Sequence, residues 1–130
     1  MSLPAPSYAD RPARPLVLLS CPAEAPEALC RSLTQALTRA ATGQIVRQAP
    51  VDAPALRPGD TAVTLDVTRH GPAALSGRLD WQGTDGGGDG AVLRLDVMDA
   101  GLEAIDYDDF TRDLLRVWPA LVARLHAAAP

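Results

Sequence analysis

The 130-residue sequence has no lysine and no asparagine, and its aromatic residues are only two tryptophans, two tyrosines and one phenylalanine. All twelve basic residues are therefore arginines, which we attribute to the codon bias of a GC-rich genome. The arginines are spread along a chain whose net charge is −4. Phosphate-driven binding needs a clustered basic face, so this composition argues against a nucleic-acid-binding protein.

Long apolar runs are also missing. Every apolar run in the chain is too short to span a membrane, and the first residues lack the apolar core of a secretory signal peptide. Residues 1–14 are rich in proline and alanine, which predicts a flexible leader before a single domain at residues 15–127. Such leaders often follow an export signal that has been removed. We therefore expect a periplasmic or otherwise exported protein, with a cytoplasmic protein as the alternative.

Cysteine is scarce as well. Cys21 and Cys30 are the two cysteines of the chain, and they lie at a spacing that matches neither a zinc site nor a CxxC redox pair. A disulfide between them would join the end of the first predicted strand to the helix that follows. The chain-entropy model gives such a bridge about 2–3 kcal/mol of stabilisation. Two reduced, buried cysteines are the alternative.

The domain opens with a pattern typical of a β–α–β unit. The run PLVLLSC at residues 15–21 is continuously apolar, as in a strand buried on both faces. GQIVRQAP then predicts a short strand that ends before Pro50. Between the two, apolar side chains recur at helical spacing: Leu29, Leu33, Ala36, Leu37 and Ala40. The two strands should therefore be parallel.

Three later segments alternate apolar and polar residues, which predicts an antiparallel meander over residues 63–68, 75–82 and 93–98. One register places Leu79 beside both Leu65 and Leu95. The same register aligns opposite charges on the other face: Asp66 and Asp96 with Arg78, and Asp80 with Arg94. The apolar side chains of one face and the charged side chains of the other support the same alignment, so we predict this register for the whole meander.

The stretch TDGGGDG at residues 84–90 is the most distinctive text in the chain. A phosphate-binding loop would lead into a helix, whereas a strand follows here. An EF-hand loop would need a glutamate at its twelfth position, where Asp96 stands. We interpret the glycines as the tip of a long connection between residues 82 and 92. A weak calcium site that uses Asp85 and Asp89 is the alternative.

The last third predicts a second amphipathic helix, whose apolar stripe is Phe110, Leu114, Trp118, Leu121 and Leu125. Asp106 or Asp108 is the expected N-cap. Pro119 should kink the helix or divide it in two. The complete pattern predicts an α/β (α+β) two-layer sandwich. Its elements follow in the order β-α-β-β-β-β-α, and both helices lie on one face of a mixed five-stranded sheet.

The acidic segment 99–113 is the densest group of carboxylates. Paired carboxylates could act as acid and base or hold a metal, with Asp106 and Asp108 as weak ligand candidates. Helix capping and a solvated face explain most of them, so we expect no catalytic residue and no cofactor. A small hydrolase or metal-dependent enzyme using this segment is one alternative. A small-molecule binder with a pocket near Pro119 is another.

The outer face of the predicted sheet carries an apolar strip beside its charged residues. Leu16 and Leu18 point outward in the first strand, as do Val92 and Met98 later in the chain. Such a strip would suit an unknown protein partner or a second copy of the chain. Cover by the leader or by the loop of residues 50–60 is the alternative.

The order of elements resembles the amino-terminal domain of the periplasmic protein TolB and related lipoprotein modules of the cell envelope. The residues that carry the resemblance are LTQALTRAATGQIVRQAP and the hairpin LDWQG…GAVLRLDVMDA. The resemblance covers most of residues 15–125. It implies a small non-enzymatic module of the bacterial cell envelope that binds or assembles with other proteins. It transfers no functional residue.

Overall fold

The computed structural model describes residues 15–41, 43–48, 56–96 and 101–127, so the predicted leader and Met98 lie outside the described residues. The first elements are strand β1, helix α1 and strand β2, at Leu16–Ser20, Glu27–Ala40 and Ile45–Gln48. Strands β3 to β6 follow at Thr61–His70, Ala74–Gly83, Gly86–Asp89 and Leu93–Asp96. Helices α2 and α3 complete the chain at Ala104–Arg116 and Pro119–Ala127.

The strands form one mixed sheet with the order β2-β1-β3-β4-β5, and β6 also pairs with β4. β1 is parallel to β2 and β3, as expected for a β–α–β opening, and the later pairs are antiparallel. β5 and β6 pair with successive halves of the same edge of β4. The predicted α+β class with a mixed sheet is therefore confirmed, with the fifth strand broken into two short ones.

The buried apolar side chains of the described residues form one core between the sheet and the helices. The sheet contributes inward side chains from β1, β3 and β4: Val17, Leu19, Val63, Leu65, Leu75 and Leu79. Both predicted helical stripes face this core, and their leucines are buried. Each fully buried leucine stabilises the fold by about 1.5–3 kcal/mol. The helices thus cover one face of the sheet.

The register predicted for β3 and β4 is confirmed. Leu65 pairs with Leu79 on the buried face, and Asp66 pairs with Arg78 on the outer face. The Arg78 Nε atom lies 3.5 Å from Asp66 Oδ2 and 3.3 Å from Asp80 Oδ1. One cation therefore lies between two carboxylates on the outer surface.

The register predicted for the next hairpin is wrong. Leu95 pairs with Leu75 instead of Leu79, a displacement of four residues along β4. The connection is a tight turn at residues 84–85, and the glycines after it belong to β5. Consequently Asp80 faces Asp89, while Arg94 forms its ion pair with Asp96 of its own strand.

Two glycines, one in β5 and one just after it, are needed because other groups come very close to the backbone there. A β-carbon on Gly87 would lie 2.7 Å from the Trp81 carbonyl oxygen. One on Gly90 would lie 2.8 Å from Trp118 Cε3. Asp89 pairs with Asp80, and Leu93 pairs with Gly77. Three residues separate the first members of these pairs and two separate their partners on β4, so the chain also bulges here. Close approach of other atoms therefore accounts for the glycines at positions 87 and 90.

The helix ends differ in detail from the prediction. α2 begins before the expected caps, because Glu103 is the N-cap and forms a reciprocal capping box with Asp106. Asp108 lies inside the helix instead. Pro119 divides the last helical segment: α2 ends at Arg116 and the proline opens α3, where its missing N–H has no consequence.

A disulfide joins Cys21, just after β1, to Cys30 in the first turn of α1, with the two Cα atoms 6.2 Å apart. Cys30 is buried in the core and Cys21 is half-buried against it. The bridge therefore fixes the start of α1 relative to the end of β1.

Candidate functional site

The helical layer contains a groove of about 520 Å³ between α1 and α2. Two small side chains of α1, Ala36 and Ala40, lie along it, and Leu115 of α2 contributes buried apolar surface. Ser32 on α1 donates a hydrogen bond to Asp108 on α2, which holds the two helices in register. The groove exists because the alanines do not fill the space that larger residues would occupy.

Ile105 lies at the edge of this groove, and 59% of its surface is exposed. It precedes Phe110 by five residues, which places it about 140° around the helix from the buried stripe. An isoleucine in that position contributes nothing to the core. It forms an apolar edge beside the alanines, so part of the rim of the groove is apolar.

Charged side chains line the same groove from both helices. Arg39 comes from the last turn of α1 and forms no ion pair with a described residue. Arg112 of α2 pairs with Asp109 at 2.7 Å, but both side chains are more than half exposed. An exposed pair of this kind contributes little stability and is readily exchanged for another partner. The Asp108 carboxylate in the groove is held by Ser32.

This arrangement can bind a group that carries both a carboxylate and apolar surface. Guanidinium groups bind carboxylates through paired, charge-assisted hydrogen bonds. The alanines, Leu115 and Ile105 offer apolar contact next to these donors. Enclosed small-molecule sites usually bury most of their ligand, whereas this groove opens to solvent beside an exposed isoleucine. Its shape suits a chain segment that lies along two helices.

The acidic segment has structural partners over most of its described length. The Glu103 and Asp106 side chains accept hydrogen bonds from backbone N–H groups at the start of α2. Asp109 pairs with Arg112, and Asp113 pairs with Arg116 at 2.9 Å. Both weak metal candidates of this segment therefore have a structural role. Asp106 helps to cap α2, and Asp108 accepts the hydrogen bond from Ser32. Asp99 lies outside the described residues.

The other two metal candidates lie on the β4–β5 hairpin. Asp85 accepts a hydrogen bond from Arg124 Nη1 at 2.9 Å. Asp89 lies opposite Asp80 on the outer face of the sheet. Burial raises the pKa of Asp80, and a hydrogen bond with Asp89 raises it further, against the lowering effect of Arg78. Within residues 15–41, 43–48, 56–96 and 101–127, no three His, Cys, Asp or Glu side chains are grouped to hold a metal ion.

Three residues of the predicted apolar strip are among those that the structure describes. Leu16 and Leu18 are half-buried on the outer face of β1, whereas their neighbours Val17 and Leu19 are fully buried on the inner face. Val92, between β5 and β6, is 54% exposed. Met98 is outside the described residues.

Sequence reasoning missed two polar anchors. Asp60 accepts hydrogen bonds from the backbone N–H of Leu16 at 2.9 Å and of Arg57 at 3.0 Å, which ties β1 to the start of β3. Arg124 of α3 donates to Thr61 Oγ1 at 2.8 Å and lies 4.6 Å from the centre of the Trp81 ring. The sequence did contain an indication of the Asp60 anchor, because an Asp-Thr pair precedes the alternating residues of β3. No local pattern indicates the second, because its partners lie far away in the sequence.

Sequence reasoning also missed the groove. The sequence predicts both helices on one face of the sheet, but a periodic pattern does not show that Arg39 and Arg112 line the same groove between them. Ile105 was the available signal, as an isoleucine that departs from the apolar stripe of its helix.

Comparison with known proteins found no matching family model, no similar curated protein and no similar solved structure. The resemblance to the TolB amino-terminal domain therefore stays a prediction. No helix within the described part of the chain combines the length and apolar character needed to cross a membrane.

Proposed function

We propose that this protein is a small non-enzymatic module of the bacterial cell envelope that binds a protein partner through the α1–α2 groove. The observation that carries the proposal is the groove itself, an open cleft of about 520 Å³ with Ile105 exposed at its edge. Ile105 continues the apolar lining of the cleft out to solvent, and contiguous apolar surface bordered by polar groups is the kind that marks protein contacts. The partner covers Ile105 and displaces water from the alanines.

The disulfide supports the envelope location. Disulfides persist in oxidising compartments and are rare in the cytoplasm, where thiols are kept reduced. The bridge between Cys21 and Cys30 lies against the core, where it stabilises the start of α1. The resemblance to an envelope module implies the same location.

The structural partners of the carboxylates favour binding over catalysis. Glu103 and Asp106 cap a helix, and Asp108 is held by Ser32, so each has a role in the fold. The groove lies along α1 and α2 and does not include Pro119 in its lining, so it differs from the small-molecule pocket considered above.

Photo-crosslinking in living cells tests the site of binding. A photoreactive amino acid replaces Ile105 in one strain and Val92 in another, because the two side chains are similarly exposed at 59% and 54%. Arg94, exposed on β6, serves as the background position. We expect a discrete adduct with another protein from position 105 only. An adduct that forms from position 92 instead would place the contact on the sheet side and refute the groove.

Thiol trapping tests the location. Cells are acidified to quench exchange, and free thiols are then labelled with a mass-shifting maleimide before and after reduction. We expect Cys21 and Cys30 to react only after reduction. Labelling of both thiols in the untreated sample would rule out an oxidising compartment and would leave the binding proposal to be judged by the crosslinks.

A thermal-shift series with Mg²⁺, Mn²⁺, Zn²⁺ and Ca²⁺ tests the enzymatic alternative. A ligand that binds the folded state raises its melting temperature. We expect no shift that depends on Asp108. A shift lost in Asp108→Asn would support a metal-dependent enzyme.

A further inference from the structure

We propose that the α1–α2 groove recognises an acidic, amphipathic peptide segment, in which carboxylate side chains flank an apolar one. This inference rests on the proposed function and specifies the chemistry of its partner. The carboxylates bind Arg39 and Arg112, and the apolar side chain packs on Ala36, Ala40 and Ile105.

Charge complementarity is the first argument. The chain has a net charge of −4, yet two arginines from different helices line this groove. The one carboxylate among its lining residues, Asp108, accepts a hydrogen bond from Ser32 of the facing helix, which directs that oxygen towards α1. Arg39 forms no ion pair with any residue that the structure describes, and the Arg112 pair with Asp109 is exposed. The lining therefore carries two guanidinium groups against one carboxylate, and an incoming carboxylate can bind Arg39 directly and replace Asp109 at Arg112.

The apolar surface is the second argument. Simple anions would need only the arginines, but Ile105 is exposed beside them and Leu115 contributes apolar surface to the groove. Water against these side chains is released when an apolar group covers them. A groove between two helices accepts an amphipathic segment through anchors spaced along its length. The segment therefore carries apolar anchors as well as charge.

Selection from a random peptide library tests the chemistry directly. The full chain is immobilised through one end, and peptides displayed on phage are enriched over several rounds. We expect enriched sequences that combine Asp or Glu with Leu, Ile or Phe at helical spacing. Enrichment of basic peptides, of purely apolar peptides, or of none overturns the proposal.

Fluorescence anisotropy with the best enriched peptide then tests the residues. Arg39→Gln and Arg112→Gln should each weaken binding about tenfold, because each removes a charge-assisted hydrogen bond. Glutamine in place of the peptide carboxylates should cause a similar loss. Arg94→Gln is the matched control, since Arg94 is an exposed arginine on β6, and it should bind as the original chain does.

Both groove arginines are exposed, so their glutamine variants should fold, which circular dichroism and unchanged melting temperature verify. Arg39→Lys and Arg112→Lys should restore part of the affinity, because they keep the charge. Equal binding by the glutamine variants and the control overturns the acidic-peptide proposal. If Ile105 still forms crosslinks in cells in that case, the groove remains a binding site and only its partner chemistry is wrong.

Discussion

The Trp118 indole packs directly on the bare backbone of Gly90, since a β-carbon at residue 90 would lie 2.8 Å from the Cε3 atom of the ring. Trp118 is 8% exposed and lies between α2 and α3. The same β-carbon would also lie 2.8 Å from the Leu79 carbonyl oxygen. The residue that follows the glycine-rich strand β5 therefore contacts the residue that precedes Pro119, between the last two helices.

Gly90→Ala should destabilise the protein. The added methyl group forces the indole or the strand to move, and overpacking of this kind costs about 1–3 kcal/mol. Urea unfolding followed by tryptophan fluorescence measures the change. Gly71→Ala is the matched control, because no atom lies within 4 Å of its added β-carbon, and its effect should be within about 0.5 kcal/mol. Equal stability of the two variants would contradict the contact.

Loss of the disulfide should lower the free energy of unfolding by about 2–3 kcal/mol, mainly because the unfolded chain gains conformational freedom. The double variant Cys21→Ala, Cys30→Ala removes the bridge without leaving a buried hydroxyl. Urea unfolding with and without reductant measures the effect. The original chain should lose stability on reduction, and the double variant should be insensitive to reductant. A reductant effect of the same size on both chains would show that the bridge is not its cause.

Asp60 should stabilise the fold at neutral pH and lose this contribution in acid. Burial alone would raise the pKa of Asp60, but hydrogen bonds from Leu16 and Arg57, together with the Arg57 charge, outweigh burial and lower it below 3.8. The folded state therefore prefers the charged form. Its contribution is complete above pH 3.8 and disappears as the pH falls through the lowered value.

The variant Asp60→Asn tests this expectation, because it removes the charge but keeps an acceptor oxygen. We expect a loss of about 1.5–3 kcal/mol at pH 7, as for hydrogen bonds to a charged group. The difference between variant and original chain should narrow below pH 3.8. Chemical unfolding across this range measures it. A difference that does not change with pH would mean that Asp60 acts only through neutral hydrogen bonds.

Asp80, in contrast to Asp60, should destabilise the fold at neutral pH and lose this effect in acid. Burial and the neighbouring Asp89 raise the pKa of Asp80 above 3.8, although Arg78 partly offsets them. The charged form is thus disfavoured in the folded state. Its destabilising effect is complete above the raised pKa and disappears as the pH falls through that value towards 3.8.

Asp80→Asn should therefore raise the melting temperature at pH 7 and lose its advantage in acid. Asn can also donate a hydrogen bond to Asp89, its cross-strand neighbour. Asp96→Asn, at an exposed carboxylate of β6, is the control and should show no comparable gain. Destabilisation by Asp80→Asn at pH 7 would mean that its ion pair with Arg78 outweighs burial.

Alternation and helical spacing predicted the elements and the β3–β4 register, but only part of the meander. Apolar and charged faces both support pairing Leu65 with Leu79, because a slip of one residue would expose every apolar side chain. The β4–β6 register is displaced by four residues, so Leu95 meets Leu75. An even displacement keeps each side chain on the same face. A pattern with a period of two cannot distinguish such registers, and the glycines gave no sign that they were in a strand.

By itself, the sequence determined the class of fold, the two buried helical stripes and the division of the last helix at Pro119, because each depends on local spacing or local backbone chemistry. The tertiary structure alone decided the contact of Trp118 with Gly90 and the position of Arg124 over Trp81. It also decided that Arg39 and Arg112 line the same groove. These depend on how close distant segments come. That distance is set by the packing of all the elements together, which no local pattern records.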